Sequence, residues 1–177
     1  LYHFKELVRR RPESPYIHSN MAYILFKLED YEGAIKHYQL AVNHGEDDVW
    51  TGTVAQTLGT IYYQIKQDLN AAAAMFQLAN QLDPANQDVL TMLADIYSEQ
   101  GNLEAAVTVY KTLLMNDPEN PECLTYLGYL LWQLDRNDEA VQIYQKAITN
   151  DPDNAIAYNN LGVIYLDERD EPAKALD

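Results

Sequence analysis

Cysteine is almost absent from this sequence, since Cys123 is the only one among its 177 residues. A single thiol excludes an internal disulfide and a cysteine-rich metal site. Its position near a predicted helix start does not by itself make a thiol reactive, so we interpret Cys123 as a structural residue. Long apolar runs are also missing, because no stretch approaches the roughly 20 residues that a membrane-spanning helix requires.

Basic residues are scarce as well. The chain has 12 Lys and Arg against 27 Asp and Glu, which gives a formal net charge of −15. The imbalance lies mainly beyond residue 48, because residues 1–48 hold 6 basic and 8 acidic side chains and residues 49–177 hold 6 and 19. Such a charge repels phosphate backbones, so we expect no nucleic-acid partner.

Recognisable catalytic motifs are missing too. The sequence has no glycine-rich phosphate loop, no His-Glu-x-x-His motif and no cysteine pair. Its four histidines, His3, His18, His37 and His44, are scattered along the chain. Its many carboxylates fall on helix faces that we expect to be solvated. We therefore predict a chain that is not an enzyme, with no cofactor and no metal site.

The sequence does have a period. Small residues that follow a leucine recur 35, 34 and 34 positions apart, at Gly59, Ala94, Gly128 and Gly162. Other classes of residue recur at the same period: Tyr62, Tyr97, Leu131 and Tyr165; then Ala72, Ala106, Ala140 and Ala175; then Phe76, Tyr110 and Tyr144; and then Pro84, Pro118 and Pro152. A period of this length indicates stacked supersecondary units.

Each unit has the pattern of two amphipathic helices. Between residues 87 and 120, Leu90, Leu93 and Tyr97 share one helical face, and Ala106 and Tyr110 share a face of a second helix. These i, i+3, i+4 and i+7 spacings predict two helices that pack together. The recurring small residues allow two helix backbones to approach closely while the aromatic residue fills the neighbouring gap.

These residues resemble the tetratricopeptide repeat, a helix-turn-helix unit of 34 residues. The resemblance implies an all-α fold, a right-handed α-solenoid of stacked helix-turn-helix repeats that forms a single array over residues 1–177. Because the chain begins and ends inside helix-like segments, we expect a piece of a longer protein. We expect it in the cytoplasm, with a periplasmic or membrane-tethered location left open. The predicted units are a lone second helix at 1–14, a repeat with an extended connection at 15–51, repeats at 52–86, 87–120 and 121–154, and a partial repeat at 155–177.

The resemblance also implies where a partner binds, since the first helices of such repeats line a concave groove. The aromatic and acidic character of this lining predicts a protein or peptide partner with apolar anchors and basic residues. The alternative for Tyr23, Phe26, Tyr63 and Trp132 is that they fill gaps between helices. The predicted groove residues are Tyr16, Ser19, Tyr23, Phe26, Gln56, Thr60, Tyr63, Asp88, Thr91, Asp95, Glu99, Glu122, Tyr129, Trp132 and Asn159.

One kind of partner is predicted not to bind. Members of the family that bind chaperone tails use lysine, asparagine and arginine on their first helices to hold two carboxylates. The matching places here hold Ser19, Tyr23, Thr57, Asp88 and Met92. Acid stands where base is required, so a chaperone C-terminal carboxylate is not an expected ligand.

Three functions stay open at this point. The chain is a non-catalytic interaction scaffold, the substrate-docking arm of a larger multidomain enzyme, or a scaffold that self-assembles through the array ends, where Phe4, Leu7 and Val8 form an apolar edge. Two interpretations of Trp50, in the extended connection, also stay open. It packs at the junction, or it contacts a partner.

Overall fold

The computed structural model describes residues 2–46 and 48–167, and within these ranges every regular element is helical. The prediction of an all-α fold is therefore confirmed. A π-helical segment, Tyr62–Lys66, continues the fourth α-helix. The α-helices in these ranges are α1 Tyr2–Arg10, α2 Pro15–Lys27, α3 Tyr31–Asn43, α4 Val49–Ile61, α5 Leu69–Leu82, α6 Gln87–Glu99, α7 Leu103–Asn116, α8 Pro121–Gln133, α9 Asn137–Asn150 and α10 Ala155–Asp167.

The chain divides into two compact units, Leu1–Val89 and Leu90–Asp177. In the first unit α2 packs along α3, and α4 packs along α5. In the second unit α8 packs along α9 and also contacts α7, while α10 packs on α9. Each unit is thus built from helix-turn-helix pairs. The repeat boundaries given above stay a prediction, and Ala175 lies outside the described residues.

Polar caps decide where several helices begin. The side chains of Asp30, Asp48 and Asp68 accept hydrogen bonds from backbone N–H groups three residues further on, at 3.0, 2.7 and 3.0 Å. Asn120 does the same for α8, at 2.9 Å, and Pro121 follows it in the first turn. Such caps satisfy N–H groups that have no partner inside the helix.

Aromatic side chains fill the space between the two helices of a pair. Phe76 and Tyr144 are completely buried. A Cβ atom added to Gly59 would lie 2.9 Å from Cδ2 of Phe76, and one added to Gly128 would lie 2.8 Å from Cε1 of Tyr144. These distances confirm that the small residues permit close helix approach at these two positions. At Gly162 no described atom lies within 4 Å of such a Cβ.

The N-terminal helix is not the open apolar edge that the sequence suggests. Phe4 is half-buried and packs against the buried cluster of Met21, Leu25 and Ala34. Of the three residues proposed for that edge, only Leu7 is exposed. Among these three residues, α1 therefore offers little exposed apolar surface for stacking between array ends. Self-assembly through the array ends stays a prediction.

Candidate functional site

The first unit has a groove between α2 and α4. Its cavity of about 430 Å³ includes four of the predicted groove residues, Tyr23, Phe26, Gln56 and Thr60. Tyr23 is exposed, whereas Phe26 is half-buried and packs on the core. The gap-filling interpretation therefore holds in part for Phe26. The remaining lining residues are Tyr38, Thr57 and Ile61.

Most polar groups in this groove already have partners. The hydroxyls of Thr57 and Thr60 donate to backbone carbonyls of their own helix at 2.9 and 3.0 Å. Lys27 lies with its Nζ atom 5.5 Å from the centroid of the Tyr23 ring, a cation–π contact. The Tyr23 ring therefore already contacts a cation that belongs to this chain.

Other predicted residues of the first unit lie outside this cavity. Tyr16 is exposed, and its ring lies 4.4 Å from that of Trp50, between centroids. Trp50 is half-buried and packs on the hydrophobic core, as the packing interpretation predicts, while a contact with a partner stays a prediction. Ser19 and Tyr63 are half-buried on α2 and on the π-helical segment.

The second unit has a comparable groove between α8 and α10. Its cavity of about 520 Å³ includes the predicted residues Glu122 and Tyr129. Sequence reasoning did not assign Tyr126 and Asn160 to this surface. A helical face contains residues three and four apart, so Tyr126, four after Glu122 and three before Tyr129, could have been found from spacing alone. The other lining residues are Thr125, Asn154 and Ile156.

The two tyrosine rings of this groove are exposed but held in place. Tyr126 is 57% exposed, and its ring stacks at 12° on the buried Tyr110 ring, with 5.8 Å between centroids. Tyr129 is 39% exposed, and its ring is tilted against that of the half-buried Trp132, with 6.2 Å between centroids. Gln133 donates from Nε2 to the Tyr129 hydroxyl at 2.5 Å. Because neighbouring side chains already restrict these rings, ordering them when a ligand binds costs little free energy.

The neutral polar groups of the lining form hydrogen bonds with neighbouring groups of the chain. Thr125 donates to the Pro121 carbonyl at 2.7 Å and accepts from Nδ2 of Asn154 at 2.9 Å. Asn160 donates to the hydroxyl of Tyr144 at 3.1 Å. Asn159, which was predicted in the groove, is exposed beside it, and its amide donates to Asn160 at 3.4 Å. Glu122 supplies an exposed carboxylate to the cavity.

The groove residues predicted on α6 are not among the lining residues of either cavity. Asp88, Thr91 and Glu99 are exposed. Asp95 is half-buried and accepts from the Tyr110 hydroxyl at 3.5 Å, and burial raises the pKa of its carboxyl. Asp95 thus contributes to packing inside the second unit.

Three histidines that look scattered in the sequence meet in the first unit, which corrects the expectation from spacing. Nδ1 of the buried His18 lies 2.9 Å from Nδ1 of His37, and the His44 ring stacks on that of His18. Nε2 of His18 lies 2.7 Å from the Pro12 carbonyl, which can only accept. When both rings are neutral, His18 therefore holds its proton at Nε2, and His37 donates to its Nδ1. Among the described residues no group of His, Cys, Asp and Glu is arranged to hold a metal ion.

Because of this histidine pair, we expect the free energy of unfolding to decrease in mild acid. Burial lowers the pKa of His37, and the neighbouring His18 and Lys36 lower it further, whereas Asp30 opposes them. The unfolded chain therefore takes up a proton at a higher pH than the folded chain, so the free energy of unfolding decreases as the pH falls from 7 to 5. Denaturant titrations across this range measure the slope. His37→Asn keeps a donor for His18 but cannot titrate, so we expect a shallower slope. An unchanged slope would contradict this account of the pair.

Comparisons with known proteins give a consistent result. Family models described as tetratricopeptide repeat match residues 13–85, 91–155 and 143–177. YrrB, solved as a tetratricopeptide repeat protein with an unusual peptide-binding site, superposes with a TM-score of 0.72 at 22% identity, over 98% of this chain and 87% of that one. MamA from Desulfovibrio magneticus RS-1 superposes with a TM-score of 0.69 at 15% sequence identity, over 92% of this chain and 89% of that one.

A further solved structure is the first TPR of Spaghetti (RPAP3) bound to the HSP90 peptide SRMEEVD. It gives a TM-score of 0.58 at 19% identity, over 67% of this chain and 94% of that one. The curated proteins contain no match. In the part of the chain that the structure describes, no helix is both long enough and apolar enough to cross a membrane. The family matches, the helix pairs and these structural likenesses agree, and the chain belongs to the tetratricopeptide repeat family.

Proposed function

We propose that this chain is a non-catalytic scaffold that binds a peptide segment or a protein partner in the grooves between successive first helices. The observation that carries the proposal is the α8/α10 groove, where Tyr126 and Tyr129 expose large rings beside a cavity of about 520 Å³. Ligand cavities fall in the range of about 300–1,000 Å³. The α2/α4 groove, with Tyr23 and Phe26, is a second contact region of the same kind.

The tyrosines suit recognition for a physical reason. A tyrosine ring contributes a large contact area at a small cost in conformational entropy, and its hydroxyl stays compatible with water when no ligand is bound. Rings of this kind dominate the binding energy of many interfaces. The exposed rings at the α8/α10 groove therefore support a binding role more strongly than a packing role.

The structural relatives support a peptide as the partner. YrrB is described with a peptide-binding site, and the Spaghetti domain was solved with a bound HSP90 peptide. The lining residues identified for the α8/α10 and α2/α4 cavities include no Lys or Arg. For this reason we do not extend the proposal to a chaperone C-terminal carboxylate.

Peptide display on the 177-residue chain tests this function. We expect the selected peptides to lose at least about tenfold in affinity when Tyr126 and Tyr129 are both replaced by Ala, because interface tyrosines contribute about 1–2 kcal/mol or more each. Titration calorimetry measures the loss. Tyr158→Ala, on α10 but outside the cavity lining, removes an exposed ring of the same type and serves as the control. Equal affinity of the double variant and the control would contradict groove recognition.

A further inference from the structure

Two tyrosines at equivalent positions of the two units differ in what approaches their rings. Tyr23 and Tyr129 are each the ninth residue of a first helix, α2 and α8, and the last residues of these helices are Lys27 and Gln133. Lys27 places its ammonium group 5.5 Å from the Tyr23 ring centroid. Gln133 instead donates to the Tyr129 hydroxyl. The chain therefore supplies a cation to the first ring and a neutral partner to the second.

The groove around Tyr129 has the groups that a cationic side chain requires. Glu122 offers an exposed carboxylate, and Tyr126 offers the ring face that is not stacked on Tyr110. Ile156 is 64% exposed and gives the apolar surface along which a long aliphatic stem can lie. No basic residue is among the lining residues identified for this cavity. A ligand cation would thus meet a carboxylate and an aromatic face without a competing charge.

The net negative charge of the second unit also favours a cationic ligand. Residues 90–167 hold 12 Asp and Glu against 3 Lys and Arg. One of the three, Arg136, forms salt bridges with Glu104 at 3.4 Å and with Glu139 at 2.7 Å. A field of this sign raises the encounter rate with cationic ligands and disfavours acidic ones.

We infer that the α8/α10 groove recognises an arginine side chain of an extended peptide, with its guanidinium between the Glu122 carboxylate and the rings of Tyr126 and Tyr129. This inference rests on the proposed function, and it names the chemistry of the partner. Arginine fits better than lysine because a planar guanidinium stacks on an aromatic face and forms two parallel hydrogen bonds to a carboxylate. The ammonium group of lysine is compact and more strongly hydrated.

Peptides selected on the intact chain from a random library provide the probe. We expect an enriched arginine, and we expect peptide variants with Ala or Lys at that position to bind at least about tenfold and threefold more weakly. Glu122→Gln removes the carboxylate charge without changing its shape. Gln133→Lys gives Tyr129 a cation of its own, as Lys27 does for Tyr23. We expect each variant to weaken the arginine peptide about fivefold. Glu119→Gln makes the same charge change outside the cavity lining, and we expect less than a twofold effect.

The outcomes separate this inference from the proposed function. If peptides depend on Tyr126 and Tyr129 but carry no arginine, or bind Glu122→Gln and Glu119→Gln equally well, the inference is wrong and groove recognition stands. Enrichment of lysine in place of arginine also overturns it. If no selected peptide depends on the two tyrosines, both the inference and the proposed function fail.

Discussion

Replacing Tyr144 by Ala is expected to lower the free energy of unfolding by about 3–5 kcal/mol, the usual cost of removing a buried aromatic side chain. Tyr144 is completely buried, its ring faces Gly128 across the α8–α9 pair, and its hydroxyl accepts a hydrogen bond from Asn160. Burial raises the pKa of this hydroxyl to about 12, which is consistent with an uncharged group in the core. Domains have total stabilities of about 5–15 kcal/mol, so this loss is a large fraction of the whole.

Urea denaturation followed by far-ultraviolet circular dichroism measures the effect. Tyr144→Phe removes only the hydroxyl and should cost about 1 kcal/mol. Tyr158→Ala removes a tyrosine that is 51% exposed and should change stability by less than about 0.5 kcal/mol. If Tyr144→Ala and Tyr158→Ala were equally stable, the ring of Tyr144 would not be a central part of the core.

The second large effect is expected from glycines that occupy the same place in successive repeats. At Gly128, an added methyl group would lie within 2.9 Å of three atoms of the Tyr144 ring. Overpacking of this kind costs about 1–3 kcal/mol, which outweighs the gain of about 1 kcal/mol from replacing a helical glycine by alanine. Gly128→Ala should therefore be destabilising by up to about 2 kcal/mol.

Gly162 lies 34 residues further on and provides the matched control. No described atom lies within 4 Å of an added Cβ there, so nothing in residues 2–46 and 48–167 opposes the gain in helix propensity. Gly162→Ala should raise the midpoint of thermal unfolding, whereas Gly128→Ala should lower it. Shifts of the same sign for both variants would show that steric contact with Tyr144 does not decide the requirement for glycine.

The sequence predicts the fold well because the same pattern of core residues is repeated along the chain. The recurrence of leucine, small residue and aromatic residue at 34-residue spacing indicates helix pairs and the close contacts at Gly59 and Gly128.

The candidate site is only partly predictable for a related reason. Register along the helices identifies Tyr23 and Tyr129, both of which line cavities. It does not reveal the His18–His37 contact, since the two residues come from different helices and no periodic pattern links them. Nor does it show that Trp132 is half-buried beside the tilted ring of Tyr129.

Mapping a bound peptide on the chain tests the central claim most directly. With ¹⁵N-labelled protein and a peptide selected on it, the account predicts that the largest chemical-shift changes lie on the first helices α8 and α10, around Glu122, Tyr126, Tyr129 and Ile156. Changes confined to the second helices α7 and α9, for example at the exposed Met115, with α8 and α10 unaffected, would contradict recognition in the groove between first helices.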